Sequence, residues 1–205
     1  MKILFAAGIY PPDIGGPATY VEKLAKELNQ PVISYSRKLK KYPKGLKHLL
    51  YFLCLLWLAK DKDVIYAQNV TSAGLPALFV AKILRKRLIL KVVGDAAWEQ
   101  KKPYLRKIQQ YVAKNAVKII VPSRYVKEMV ILWGVSAEKI TVIYNAVENS
   151  SLPNMTKDEA KKKIGLEGDI ILSAGRPVPW KGFDDLRAIM PDLIKENPNF
   201  RLVIV

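Results

Sequence analysis

Side chains that usually carry metal and nucleophile chemistry are scarce in this 205-residue chain, which has one cysteine, Cys54, and one histidine, His48. A single cysteine excludes an internal disulfide and a cysteine-based metal site. Because it lies in an apolar run, Cys54 reads as a small core residue. One histidine excludes multi-histidine metal ligation and argues against a Ser-His-Asp hydrolase. Acids are also few, 18 Asp and Glu against 34 Lys and Arg, for a net charge of +16. The imbalance is local: residues 1–148 carry 25 basic and 10 acidic side chains, and residues 149–205 carry 9 and 8. The first three quarters therefore call for an anionic partner, whether a membrane surface, a nucleic acid or a phosphorylated substrate. No apolar run is long enough to span a bilayer. The uncharged run 49–59 would rise roughly 16 Å as a helix, about half a hydrocarbon core. The start, Met1-Lys2-Ile3-Leu4-Phe5, enters a strand directly without the pattern of a signal peptide, so a cytoplasmic location is expected.

What is present is a regular alternation. Apolar, β-rich runs recur at 3–7, 32–36, 64–68, 88–93, 117–121, 140–144, 170–174 and 200–205. Segments of helical periodicity lie between most of them, at 16–29, 45–60, 72–87, 104–114, 123–133 and 183–197. Strand–helix alternation predicts an α/β fold with a doubly wound parallel sheet. The strands read as continuous apolar runs, as expected when helices cover both faces.

The polar, turn-rich segment Glu148-Asn149-Ser150-Ser151-Leu152-Pro153-Asn154 marks a boundary that coincides with the shift in charge. It predicts a domain over 1–148, a linker over 149–157 and a second domain beginning at 158–205. Two strands and about two helices are too little for an independent core, and the last strand would lack neighbours. The second domain therefore reads as incomplete.

Three loops carry candidate chemistry. Gly175-Arg176-Pro177-Val178-Pro179-Trp180-Lys181-Gly182-Phe183 follows a buried strand and leads into a helix. It brings two cations and free backbone N–H groups to the carboxyl edge of a sheet, a setting suited to a phosphate or diphosphate. The bland alternative is a pair of solvated cations. The loop after the first strand runs Gly8-Ile9-Tyr10-Pro11-Pro12-Asp13-Ile14-Gly15-Gly16. It lacks the GxGxxG dinucleotide fingerprint, but Gly15 and Gly16 allow close approach of a ligand to the next helix. A plain connecting loop explains it as well. Val93-Gly94-Asp95-Ala96-Ala97-Trp98-Glu99 places two carboxylates and a tryptophan at the same edge. They suit acid–base work, or a loop hydrogen bond and a helix-start acid. Finally, Arg37, Lys38, Lys40, Lys41, Lys44 and Lys47 form an acid-free stretch leading into the 49–59 run. That pattern fits docking on anionic lipid, or a solvated lead-in to a core helix; the run itself reads as core.

Together these motifs resemble the family 4 glycosyltransferases, which have the GT-B fold. The resemblance rests on Pro12-Asp13-Ile14-Gly15-Gly16, on Gly94-Asp95-Ala96-Ala97-Trp98-Glu99, on Val121-Pro122-Ser123-Arg124-Tyr125 with Ile140 through Asn145-Ala146-Val147-Glu148, and on Gly175-Arg176 with Lys181-Gly182-Phe183. It implies two Rossmann-like domains and transfer of a sugar from a nucleotide-diphosphate donor to an acceptor, with retained anomeric configuration. Arg176 and Lys181 match the family's diphosphate-binding pair and would offset charge on the leaving group. Gly16 would turn its amide to the donor phosphates, and Gly15, Trp98, Glu99 and Asn145 are cleft or acceptor candidates. Asp95 falls near the position where many relatives carry a catalytic-region histidine, and His48 is misplaced to substitute for it. No metal or other cofactor is expected. The acceptor would be a glycan or lipid-linked glycan of cell-envelope or polysaccharide synthesis, bound by the basic first domain at the inner membrane face. The family's later Glu-x7-Glu motif has no counterpart between Phe183 and Val205, so the chain alone is expected to have little activity. The alternatives are a non-catalytic remnant that binds nucleotide or acceptor, and a basic nucleic-acid-binding protein. The last lacks a recognition helix, a zinc motif or an aromatic stacking platform, so no nucleic-acid partner is expected.

Overall fold

The computed structural model describes residues 1–36, 42–146, 154–175 and 177–205. The chain divides into two compact units, Met1–Val147 and Glu148–Val205.

In the first unit six parallel strands form one sheet: β1 (Ile3–Ala7), β2 (Val32–Ser34), β3 (Val64–Gln68), β4 (Arg87–Lys91), β5 (Lys118–Val121) and β6 (Ile140–Val142). The strand order is β2-β1-β3-β4-β5-β6. The helices are α1 (Gly16–Glu27), α2 (Lys44–Leu58), α3 (Gly74–Ile83), α4 (Ala96–Glu99), α5 (Tyr104–Asn115) and α6 (Arg124–Leu132). This is the parallel α/β fold that the alternation predicts. The register puts Ile33, Ala6, Ala67, Leu90, Ile119 and Ile140 in one row across the sheet, and all six are buried in the larger core. On the opposite face Phe5, Ala7 and Tyr66 pack against Val21 and Ala25 of α1. Burial on both faces explains why the strands read as unbroken apolar runs.

The winding reverses at β1. From there the chain moves outward to β2 and then back across to β3, which opens a crevice beyond the carboxyl ends of β1 and β3, the usual ligand position in such sheets.

The second unit contains α7 (Lys157–Lys163), β7 (Asp169–Ser173), α8 (Phe183–Glu196) and β8 (Phe200–Ile204), with β7 and β8 paired in parallel. A capping box starts α7: the Thr156 hydroxyl accepts from the Glu159 amide, and the Glu159 carboxylate accepts from the Thr156 amide. The helix begins at Lys157, at the end of the segment assigned to a linker, because that cap is available to it.

Two side-chain expectations are corrected. Cys54 is exposed. In α2 the buried positions are Tyr51, Leu55 and the following Ala59, and Cys54 lies off that stripe. The run 49–59 is core on one side only, since Leu49, Leu53 and Trp57 face water.

Candidate functional site

The row that ends the sheet at the crevice departs from the apolar rows beneath it. Ser34, Ala7, Gln68 and Lys91 are register partners across β2, β1, β3 and β4. Ser34, Gln68 and Lys91 are nonetheless buried. Such groups need partners, and each side chain finds one at the carboxyl edge, although the Gln68 side-chain oxygen has none. The Ser34 hydroxyl shares a hydrogen bond with that of Ser36, and the Ser36 hydroxyl donates to the Asp13 carboxylate. The Gln68 amide donates to the Pro17 carbonyl at 2.8 Å, tying β3 to the start of α1. Lys91 Nζ lies 3.3 Å from Asn145 Oδ1, 3.4 Å from the Ile143 carbonyl and 4.6 Å from the centre of the Tyr20 ring. Among the described residues no carboxylate pairs with it. Burial without a counter-charge pushes the Lys91 pKa below the ordinary lysine value.

The loops themselves are built for close approach. A Cβ on Gly8 would sit 2.7 Å from the Ser72 hydroxyl, so β1 leaves the sheet hard against the β3–α3 connection. Asn69, at φ +88°, turns that connection by accepting from the Thr71 and Ser72 amides. Gly15 takes φ +154°, and a Cβ on Gly16 would meet nothing within 4 Å. The start of α1 is therefore open on the side from which a ligand would approach.

Gly8, Pro17, Gln68, Asn69 and Val93 line a cleft of about 360 Å³ at this edge. It adjoins a larger cavity of about 590 Å³ through the shared residues Tyr35 and Ser72. Phe52, Phe79, Tyr104 and His48 are among its lining residues. His48 Nε2 lies 3.0 Å from the Tyr35 hydroxyl. The lone histidine thus belongs to this cavity and not to the loop that follows β4.

In that loop Asp95 caps α4: its Oδ1 accepts from the Ala97 and Trp98 amides at 3.1 and 3.2 Å. Its Oδ2 meets Arg106 at 2.5 Å. Both oxygens are engaged, as in the helix-start alternative. Glu99 folds back, its carboxylate 2.6 Å from where a Gly94 Cβ would stand, and Trp98 is exposed. Asn145 is brought to the sheet edge by Lys91.

In the second unit Lys181 ends a short 3-10 turn (Pro179–Lys181), followed by Gly182 at φ +69° and then α8. The Lys181 stem lies 3.9 Å from the Cβ position of Gly175. Lys181 therefore lies over Gly175, the glycine that follows β7, with Phe183 of the first turn of α8 beside it. Arg176, the other half of the expected pair, lies outside the described residues, as do 37–41 of the basic stretch and 147–153 of the boundary.

The structure gathers Gly15, Gly16 and Asn145 with Lys91 and Gln68 at one sheet edge, and puts Lys181 beside Gly175 at another. Sequence reasoning misses Lys91 and Gln68. Each ends an apolar strand run, and a polar residue closing such a run at a sheet's carboxyl edge is the signal available.

The sequence profile of glycosyltransferase family 4 matches residues 29–150. The chain belongs to glycosyltransferase family 4. No curated protein matches it in sequence. Among solved structures, Anabaena HepE in complex with UDP and glucose aligns over this family 4 chain's whole length, with a TM-score of 0.74 and 19% identity. The chain spans 60% of that protein. S. aureus MnaA bound to UDP aligns with a TM-score of 0.58 and 15% identity, and 62% of its length is covered. The UDP-GlcNAc 2-epimerase of Methanocaldococcus jannaschii aligns with a TM-score of 0.55 and 16% identity, and 65% of it is covered. At these identities the likeness is one of fold, and the fold is the GT-B type with Rossmann-like units.

Proposed function

We propose that the chain is part of a retaining glycosyltransferase that moves a sugar from a nucleotide-diphosphate donor to a glycan or lipid-linked acceptor in cell-envelope or polysaccharide synthesis. The observation that carries this reading is the family 4 match over 29–150, which favours transfer over the epimerisation named for some structural neighbours. The UDP and UDP-glucose complexes of HepE support a nucleotide-sugar donor. In this reading the first unit binds the acceptor in the joined cavities at the sheet edge, next to Gly15, Trp98, Glu99 and Asn145. Asp95 acts beside them by fixing the loop. The cations of Arg176 and Lys181 hold the diphosphate. As the bond from the anomeric carbon to the diphosphate oxygen breaks, negative charge grows on that oxygen. Cations fixed beforehand stabilise it without reorganising, and no metal is required for that task. The enzyme works on the cytoplasmic side, at the membrane face where such an acceptor is presented.

The test is acceptor-dependent release of nucleoside diphosphate by the full gene product, with the anomeric configuration of the product read by NMR. Lys181→Ala is expected to lower turnover on the order of a hundredfold. Chelation of divalent metal is expected to leave it unchanged. Acceptor-independent formation of a C2-epimerised sugar nucleotide, or near-wild-type turnover in Lys181→Ala, would overturn the reading.

A further inference from the structure

The cleft at the sheet edge holds polar groups whose partners the protein does not supply. Lys47 of α2 is among its lining residues, and among the described residues no carboxylate pairs with that cation. Its Nζ sits 4.2 Å from the centre of the Tyr35 ring, and the Tyr35 hydroxyl is held in turn by His48 Nε2. A cation resting on an aromatic face is in place before any ligand arrives. Residues 28–60 contain no Asp or Glu, so the first turn of α2 has no acid to offset the positive end of the helix dipole. Asp13 is engaged by the Ser36 hydroxyl and lines neither cavity; among the described residues no Asp or Glu does.

Two uncharged side chains of the lining are also short of partners. Gln68 is 3% exposed, and while its amide nitrogen donates to Pro17, its Oε1 has no donor. Asn69 Oδ1 accepts from the Thr71 and Ser72 amides, which leaves its amide nitrogen without an acceptor among the described residues. A buried acceptor left unpaired opposes folding until a ligand or a water supplies the donor. The missing partners are a hydroxyl for Gln68, an oxygen for Asn69 and a negative charge for Lys47. A sugar bearing a carboxylate or a phosphate carries all three. The cleft, at about 360 Å³, falls within the span of small-molecule sites, roughly 300–1,000 Å³. A nucleotide is a poorer occupant. Tyr35 is the one aromatic ring among the described lining residues, and Lys47 and His48 already cover it, leaving no face on which a base could stack.

We propose that the cleft takes an acidic sugar, with its carboxylate or phosphate on Lys47 and a hydroxyl on Gln68 Oε1. The proposal rests on the reading that the first unit binds the acceptor, and it narrows that acceptor to a glycan whose accepting end is negatively charged.

The experiment is calorimetric titration of the chain at low salt with methyl glucuronide, glucose 6-phosphate and the neutral methyl glucoside. At least one acidic sugar is expected to bind ~tenfold or more tighter than the neutral one, and the tighter of the two identifies the anionic group. Lys47→Met is expected to abolish that preference while leaving affinity for the neutral sugar unchanged, and Lys47→Arg is expected to retain it. Should Lys47→Met fail to fold, ionic strength decides the matter: added salt is expected to weaken the acidic sugar and not the neutral one. The proposal is overturned by equal affinity for acidic and neutral sugars, by binding of none of the three, by a preference that survives in folded Lys47→Met, or by a preference that salt does not weaken. Transfer assays on the full gene product separate it from the reading beneath it. Equal transfer to acidic and neutral acceptors would overturn the acidic-sugar assignment and keep the transferase. Lys47-dependent binding of an acidic sugar with no transfer to it would keep the assignment and overturn the transferase.

Discussion

Lys91 is the side chain at which the interests of folding and of the site diverge. A lysine that is 1% exposed, held by a carbonyl and an amide oxygen and paired with no described carboxylate, opposes folding whenever it is charged. It persists at the one row of the sheet that faces the crevice, where it fixes Asn145. Replacing it with an apolar isostere should therefore stabilise the fold: Lys91→Met is expected to raise stability at neutral pH by about 1 kcal/mol. The sign of the pH dependence follows from the direction of the shift. The folded-state pKa lies below the ordinary 10.5, so between the two values the unfolded chain binds more protons. Wild-type stability then rises with pH through that window relative to the variant. Melting temperatures of both proteins, measured from neutral pH towards 10, should converge. A gap that widens or stays constant would refute the assignment. Asp95 shows the converse case. Its chemistry was legible as either an acid–base group or a helix-start acid, and its engaged oxygens favour the helix-start role. Lys91 was hidden because an apolar run masks a single terminal lysine.

Elements were more legible than side chains, for a physical reason. The strands of the described residues form where apolar, β-branched runs predict them, and in the first unit a doubly covered parallel strand has no polar face to blur the pattern. Boundaries moved where local chemistry intervened. The helix expected over 72–87 begins only at Gly74, after the Asn69 turn, and ends at Ile83, after which Arg85 takes φ +54° and β4 starts at Arg87. For α2 the apolar content was plain, but which residues it buried was not, because a helix apolar all round gives periodicity no polar face to exclude. The crevice itself depends on a contact between elements that no sequence pattern reports, that of Gly8 with Ser72. Gly8→Ala is expected to destabilise the protein by about 1–3 kcal/mol through overpacking. Ser72→Ala removes the hydroxyl that the new methyl would strike at 2.7 Å. In that background the effect of Gly8→Ala should fall by at least half. Additive effects in denaturant melts of the four proteins would place the clash elsewhere.

At the scale of the whole molecule the two units differ in how much they bury. The first unit contains both clusters of the core, with β1, β3 and β4 lined by side chains at or near zero exposure. Among the described residues of the second unit, Met190 is the single buried apolar side chain. Leu172 on β7 and Ile204 on β8 are 65% and 44% exposed. Hydrophobic burial is the main stabilising term that separates a protected strand from a transiently open one. Two strands with one covered face between them should therefore open at low free energy, even though their own ladder is complete. Native-state hydrogen exchange is expected to show amides of β7 and β8 exchanging orders of magnitude faster than those of β1, β3 and β4. Limited trypsin digestion should remove residues beyond the boundary first, leaving the basic first unit intact. Binding of a nucleoside diphosphate through Lys181 and the start of α8 would slow exchange in β7 and α8 specifically, since a ligand stabilises only the form that binds it. Protection of β7 and β8 equal to that of the central strands in the free chain would show that the two units fold as one cooperative body. In that case burial within the second unit alone would not set its stability.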